Sequence, residues 1–213
     1  MILPKHKKLV TAGCSFTFGQ GLPDPQTQSW PALLANKLNL ECINLGHCGS
    51  SNEFITNTVI KHFLINDPSD CFLIIAYSGI ERLSFGYYND DENIIHLTPT
   101  SRKWTNLAKA IYPEYSNEVY ATRKYFLDIS RTQTWLEKKE INYAMVNGLT
   151  TLRVNDQETK WYYEQLDKKY LINFTSMNFN TIIQEDGKLS DGHPNEIGHQ
   201  RIANTLYKWM KEE

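Results

Sequence analysis

The stretch Cys71–Tyr77 reads Cys-Phe-Leu-Ile-Ile-Ala-Tyr, seven apolar residues bounded by Asp70 and Ser78. Successive side chains of a strand point to opposite faces, so a strand that is apolar at every position must be covered on both. A sheet with helices on both sides offers that environment, and such sheets are parallel as a rule. The run is also far shorter than the roughly 20 residues a membrane-spanning helix needs.

Its surroundings repeat the same alternation. Lys8 to Ala12 favours a strand and ends abruptly at Gly13, Cys14 and Ser15. Ser29 then stands as N-cap to a helix with Pro31 in its first turn and with Trp30, Leu33, Leu34 and Leu38 on one face. Glu41 to Leu45 predicts a second strand. A glycine-serine loop, Gly46 to Asn52, leads to a helix from Glu53 to about Ile65 that buries Phe54, Ile55, Val59, Ile60 and Phe63.

The rhythm breaks from Leu83 to about Tyr120, which has no clean period and reads as an insertion able to cap a pocket. It returns with a helix from about Ala121 to Lys139 and a strand from Asn142 to Val146. Thr151 to Gly187 resists assignment. Asn195 to Lys211 predicts a final amphipathic helix through Ile197, Ile202, Leu206, Trp209 and Met210. The expected architecture is a three-layer α/β/α sandwich on a flavodoxin-like parallel sheet, with an insertion after the third strand. In such sheets ligands sit beyond the carboxyl ends of the strands, where the loops from Gly13, Gly46 and Ser78 converge.

Composition narrows the function. The 213 residues are 41% hydrophobic, enough for one sizeable core. Twenty-two Lys and Arg against 24 Asp and Glu leave a net charge of −2, without the basic footprint of a nucleic-acid binder. Lys5, His6, Lys7 and Lys8 lead only into Leu9 and Val10 before Thr11, so no secretory signal is read and a cytoplasmic location is expected. Cys14, Cys42, Cys48 and Cys71 form no Cys-x-x-Cys pair and read as reduced thiols; a Cys42–Cys48 bridge is the one conceivable pairing.

The strand-to-turn junction at Ser15 places a hydroxyl where backbone N–H groups can share its space, as an activated nucleophile requires. Taken alone it reads more readily as a turn or helix-capping serine, and the partner residues must decide. Near the other end, Ser190-Asp191-Gly192-His193-Pro194-Asn195 precedes the last helix. His193 is the natural general base for Ser15, and Asp191, two residues before it, can orient its ring. The plain alternative is an Asp-Gly turn carrying a solvated histidine. His193 and His199 lack a third histidine nearby in sequence, so no metal site is read. Cys14 is expected to pack under the sheet and Cys48 to be a small buried filler. Trp104, Tyr112, Tyr115, Trp161, Tyr162 and Tyr163 offer aromatic surface for a sugar ring or for burial.

These blocks resemble the SGNH (GDSL-like) hydrolases, whose serine lies near the N-terminus and whose aspartate and histidine lie near the C-terminus. Asn44-Leu45-Gly46-His47-Cys48-Gly49-Ser50 resembles the family's glycine block, and Asp191 to His199 its terminal block. The resemblance implies Ser15 as nucleophile, His193 as base, Asp191 as orienting acid, and the N–H groups of Ser15 and Gly49 as oxyanion-hole donors. It departs from the family in two places. The family's aspartate stands three residues before the histidine, where this chain has Ser190. The asparagine expected after the third strand is missing from Tyr77-Ser78-Gly79-Ile80-Glu81-Arg82. Ser78, and after it Asn52, are the candidate substitute donors, and Arg82 is a candidate grip for an anionic substrate group.

The resulting expectation is one domain spanning 1–213, with its insertion at about 83–120. It would be an ester hydrolase that removes a short acyl group, such as acetyl, from a carbohydrate or small ester through an acyl-enzyme, without metal or cofactor. Its partners would be small-molecule esters rather than nucleic acid or membrane. The rival expectation is a binding or structural module that keeps the fold with little or no catalysis.

Overall fold

The computed structural model describes residues 6–86, 94–99, 105–115, 117–150, 152–172 and 175–212, with 113–115 and 212 described in backbone only. Five strands form one parallel sheet: β1 (Lys8–Gly13), β2 (Glu41–Asn44), β3 (Cys71–Tyr77), β6 (Asn142–Asn147) and β7 (Leu171–Ile172), in the order β2-β1-β3-β6-β7. β4 (Leu83–Phe85) and β5 (Ile95–Leu97) pair antiparallel as a separate hairpin.

β3 is buried at all seven positions, as its sequence requires. Cys71, Leu73, Ile75 and Tyr77 enter one core with Ile55, Val59 and Phe63 of α4 (Asn52–Ile65) and Tyr125, Phe126, Ile129 and Leu136 of α6 (Glu118–Lys138). Phe72, Ile74 and Ala76 enter the other with Trp30 and Leu34 of α3 (Trp30–Leu38) and Ile202, Leu206 and Met210 of α9 (Glu196–Glu212). The alternation of one strand thus defines three layers.

The short helices α1 (Ser15–Phe18) and α2 (Pro25–Gln28) follow β1. The insertion contributes the β4–β5 hairpin and α5 (Thr105–Tyr115), which share a small satellite core of Leu97, Ala108 and Tyr112. The segment without a clear period resolves into short pieces, α7 (Gln157–Glu164), β7 and α8 (Phe179–Ile183), each too brief to show a period. Among the described residues no helix is long and apolar enough to cross a membrane.

Three local readings are corrected. Ser29 holds the N-cap position of α3, but its hydroxyl caps nothing; the Trp30 N–H donates instead to His199 Nδ1 at 3.0 Å. His199 is fully enclosed, and its ring joins α9 to the start of α3. Ile197, read as part of the buried stripe of α9, is 51% exposed, because it lies in the first turn, ahead of the part of α9 that covers the sheet. Ile60 is only half-buried.

Candidate active site

β1 lies between β2 and β3, and the connection through β2 returns across it, so the gap between β1 and β3 is the point where strand order reverses. Gly13 pairs with Ala76 in the register of these strands. Ser15 and Ser78 each stand two residues beyond that pair, on strands about 4.8 Å apart. The nucleophile candidate and the first loop residue after β3 therefore share the same edge.

Close packing dictates how Ser15 is presented. A Cβ on Gly13 would lie 2.1 Å from Thr17 Oγ1 and 2.9 Å from the Ala76 carbonyl, so only glycine lets the chain fold straight from β1 into α1. Ser15 opens α1, and Thr17 and Phe18 donate their N–H groups to the Cys14 carbonyl. The N–H groups at the start of a helix have no partner within it, which leaves that of Ser15 available to a ligand. Cys14 is buried in the core beside Trp30, as expected of a residue turned under the sheet.

His193 arrives from the far end of the chain. Leu189 donates its N–H to the His193 carbonyl and Gly192 donates to the Leu189 carbonyl, forming a tight hairpin with Gly192 at φ +86°. That is the pattern of a turn closed by a glycine bulge. His193 Nε2 lies 3.0 Å from Ser15 Oγ, across 178 residues of sequence. Its ring also packs against Phe16, with centroids 5.6 Å apart.

Asp191 serves the turn and the histidine together. Its Oδ1 accepts the His193 backbone N–H at 3.1 Å, and its Oδ2 lies 3.0 Å from His193 Nδ1. The second contact is at ion-pair distance. The donated backbone N–H, and then the imidazole, hold the Asp191 carboxyl below its ordinary pKa. The two-residue spacing reaches the ring because the turn curls Asp191 back under its own neighbour. The Asp-Gly turn read from the sequence is present, and its histidine is not solvated but lies on Ser15.

The glycine block is fastened to the same corner. Asn44 Nδ2 donates to the Thr17 carbonyl at 2.8 Å, and its Oδ1 accepts the Gly46 N–H at 2.9 Å. The His47 N–H donates to the Gly13 carbonyl at 3.0 Å. Gly49 follows in a tight turn at φ +81°.

Asn52 is fully engaged. Its Oδ1 accepts the Ser78 N–H at 2.6 Å, and its Nδ2 donates to the carbonyls of Ser78 and Gly79 at 3.3 and 3.4 Å. An amide directed at two carbonyls pins the loop after β3 and is not free to meet an oxyanion. Ser78 is fully buried, and its hydroxyl has no partner among the described residues. Arg82 is half-buried with its Nη1 enclosed and without a partner among the described residues; a surface pair with Glu81 or Asp90 is the plain alternative to a substrate grip, the first is not formed, and Asp90 lies outside the described residues.

Several other candidates take structural places. All four cysteines are free, and burial raises the pKa of the Cys48 thiol. Tyr112 is buried with its hydroxyl directed at the carbonyls of Glu81 and Leu97, each at 2.9 Å. Trp161 is exposed; Trp104 and the side chain of Tyr115 lie outside the described residues. No group of three or more His, Cys, Asp or Glu side chains suited to a metal occurs among the described residues.

No model of a protein family matches the sequence, and no curated protein does. Solved structures do match. One is a member of the lipolytic G-D-S-L family from Veillonella parvula, with 15% identity and a TM-score of 0.55 over 97% of this chain and 99% of the other. The chain carries the SGNH hydrolase fold. The psychrotrophic esterase EstA from a Pseudoalteromonas species shares 14% identity and a TM-score of 0.56 over 96% and 99% of the two chains. An acetyl xylan esterase shares 13% identity and a TM-score of 0.55 over 95% and 98%. In the SGNH fold, the corner between β1 and β3 here gathers Ser15, His193 and Asp191, and with them the Gly49 and Ser78 loops.

Proposed function

We propose that the protein is a serine ester hydrolase. The observation that carries this is the line Ser15 Oγ, His193 Nε2, His193 Nδ1, Asp191 Oδ2, with 3.0 Å at each end. His193 takes the Ser15 proton as the hydroxyl attacks the acyl carbon. The developing oxyanion is met by the N–H groups of Ser15 and Gly49, with the buried, unpartnered Ser78 hydroxyl as the side-chain donor. His193 then passes the proton to the leaving alcohol, and activates water to release the acyl group from Ser15. Asp191, with one carboxylate oxygen on the His193 backbone N–H and the other 3.0 Å from Nδ1, holds the imidazole in place beside Ser15.

A short acyl group such as acetyl, on a carbohydrate or small ester, is the substrate class, in line with the acetyl xylan esterase and the esterase that share the fold. Arg82, unpaired among the described residues, would grip an anionic substituent of the substrate. With Ser15 and His193 at opposite ends of the sequence, residues 1–213 act as one unit, with the insertion at about 83–120 beside the site. The near-neutral charge fits a small uncharged ester in the cytoplasm, and Arg82 is the residue that would overturn this in favour of an anionic one.

The test is turnover of p-nitrophenyl acetate and longer p-nitrophenyl esters by the wild type and Ser15→Ala. Hydrolysis that is fastest on acetate and lost in Ser15→Ala is expected. Activity that persists in Ser15→Ala would reject Ser15 as nucleophile. Binding of acetylated sugar without hydrolysis would favour the non-catalytic module, for which the absent family asparagine and the displaced aspartate are the arguments.

A further inference from the structure

The β4–β5 hairpin, part of the insertion, touches the glycine loop through one cross-strand pair. Ser84 and His96 lie directly opposite each other in the hairpin register, so their side chains share a face. Ser84 Oγ accepts the Ser51 N–H at 3.2 Å and lies 2.8 Å from His96 Nδ1. The hydroxyl has one proton, and Nδ1 is the acceptor within its reach among the described residues. With Ser84 donating to Nδ1, the imidazole carries its own proton on Nε2; with the other tautomer the same 2.8 Å contact runs from Nδ1–H to Oγ, and the ring is held either way.

The ring set by this bond lies against Gly49. A Cβ on Gly49 would stand 3.0 Å from His96 Cβ and 3.8 Å from its Cδ2. The same ring packs on His47 and edge-on to Phe54, each with centroids 4.9 Å apart. The loop from His47 to Ser51 is thus held at its glycine by the imidazole and at its end by the serine. Burial lowers the His96 pKa to about 4, with His47 and Arg82 adding to the effect, so the ring is neutral near pH 7.

We infer that His96 is a positioning residue which, fixed by Ser84, braces the Gly49 turn and aims its N–H at the site. The inference rests on the hydrolase reading for its consequence and on the hairpin geometry for its structure. Donors act at full strength only when held in place before the reaction, and a shift of about 1 Å can cost on the order of a hundredfold in rate. His96 touches no reacting atom in this account; it acts through Gly49.

The experiment compares His96→Phe, Ser84→Ala and His96→Asn with the wild type. His96→Phe keeps an aromatic ring but loses the acceptor, Ser84→Ala loses the bond by removing one atom, and His96→Asn restores an acceptor. The first two are expected to lower kcat on p-nitrophenyl acetate by roughly 10- to 100-fold with KM nearly unchanged, and His96→Asn to recover most of it. Independently of turnover, the backbone order parameter of Gly49 by 15N relaxation should fall from a rigid value of about 0.85 towards about 0.6 in the first two and return in His96→Asn. A wild-type kcat together with a rigid Gly49 in both Ser84→Ala and His96→Phe would overturn the inference. Should the wild type hydrolyse no ester, the hydrolase reading fails, while the Gly49 order parameter still decides whether the hairpin braces the loop.

Discussion

Replacing Asn52 by alanine removes three contacts at one buried position. The Ser78 N–H loses its acceptor, at 2.6 Å in the native protein, within a residue that has no exposed surface. An amide N–H left buried and unpaired costs about 1–3 kcal/mol. The longer bonds to the Ser78 and Gly79 carbonyls add a smaller amount, because a carbonyl can still find other partners. The sum is roughly 2–4 kcal/mol. In urea unfolding the midpoint should fall with the slope unchanged. For a chain of this size the melting temperature should drop by roughly 5–15 °C. Ser78→Ala deletes a hydroxyl with no partner among the described residues, so its stability should change little while kcat falls. Asn52→Ala unfolding within about 0.5 kcal/mol of the wild type would refute the lock.

The remaining predictions concern other parts of the site. His96 and His199 are kept neutral by burial, His96 with help from His47 and Arg82 and His199 from His193, each with its pKa lowered to about 4. An exposed histidine protonates near pH 6.5, so from about pH 6.5 down to about pH 4 the unfolded chain binds more protons and stability falls. The enclosed His199 alone contributes on the order of 3 kcal/mol to that loss, and His199→Asn, which keeps an acceptor for Trp30, should flatten the pH dependence of urea stability. The pKa of Asp191 is lowered, so its contribution is present above the ordinary carboxylate value and is lost as acid takes the pH through the folded value; Asp191→Asn should cost turnover far more than stability. Gly192→Ala meets no neighbour within 4 Å, and its cost comes from φ +86° alone, about 1–2 kcal/mol with kcat reduced through His193. Gly13→Ala must displace both Thr17 and the β3 backbone, and soluble expression should fall with it.

The layered sheet could be read because β3 is apolar at every position and because α3, α4 and α9 carry clean stripes. Ser15 and His193 could be paired because a strand broken by glycine and a histidine before the last helix, each weak alone, together match the chain order of the SGNH family. What escaped reading depends on contacts between distant side chains. Asn52 could be named as a candidate donor, and only the fold shows its amide spent on Ser78 and Gly79. His199 enters the sequence reading only as a second histidine without a metal partner, yet its ring accepts the Trp30 N–H at the start of α3. The Ser84–His96 pair lies in a segment too polar to show a strand period, and Ile197 follows the helical spacing although the first turn of α9 leaves it exposed.

The central claim is that Ser15 is an activated nucleophile driven by His193. The most direct measurement is labelling by a fluorophosphonate, which bonds covalently to such a serine, followed by peptide mapping. The account predicts modification at Ser15 in the wild type, slowed strongly in His193→Ala and absent in Ser15→Ala. No labelling of the wild type anywhere between roughly pH 6 and 9, or labelling at a different serine, would contradict it.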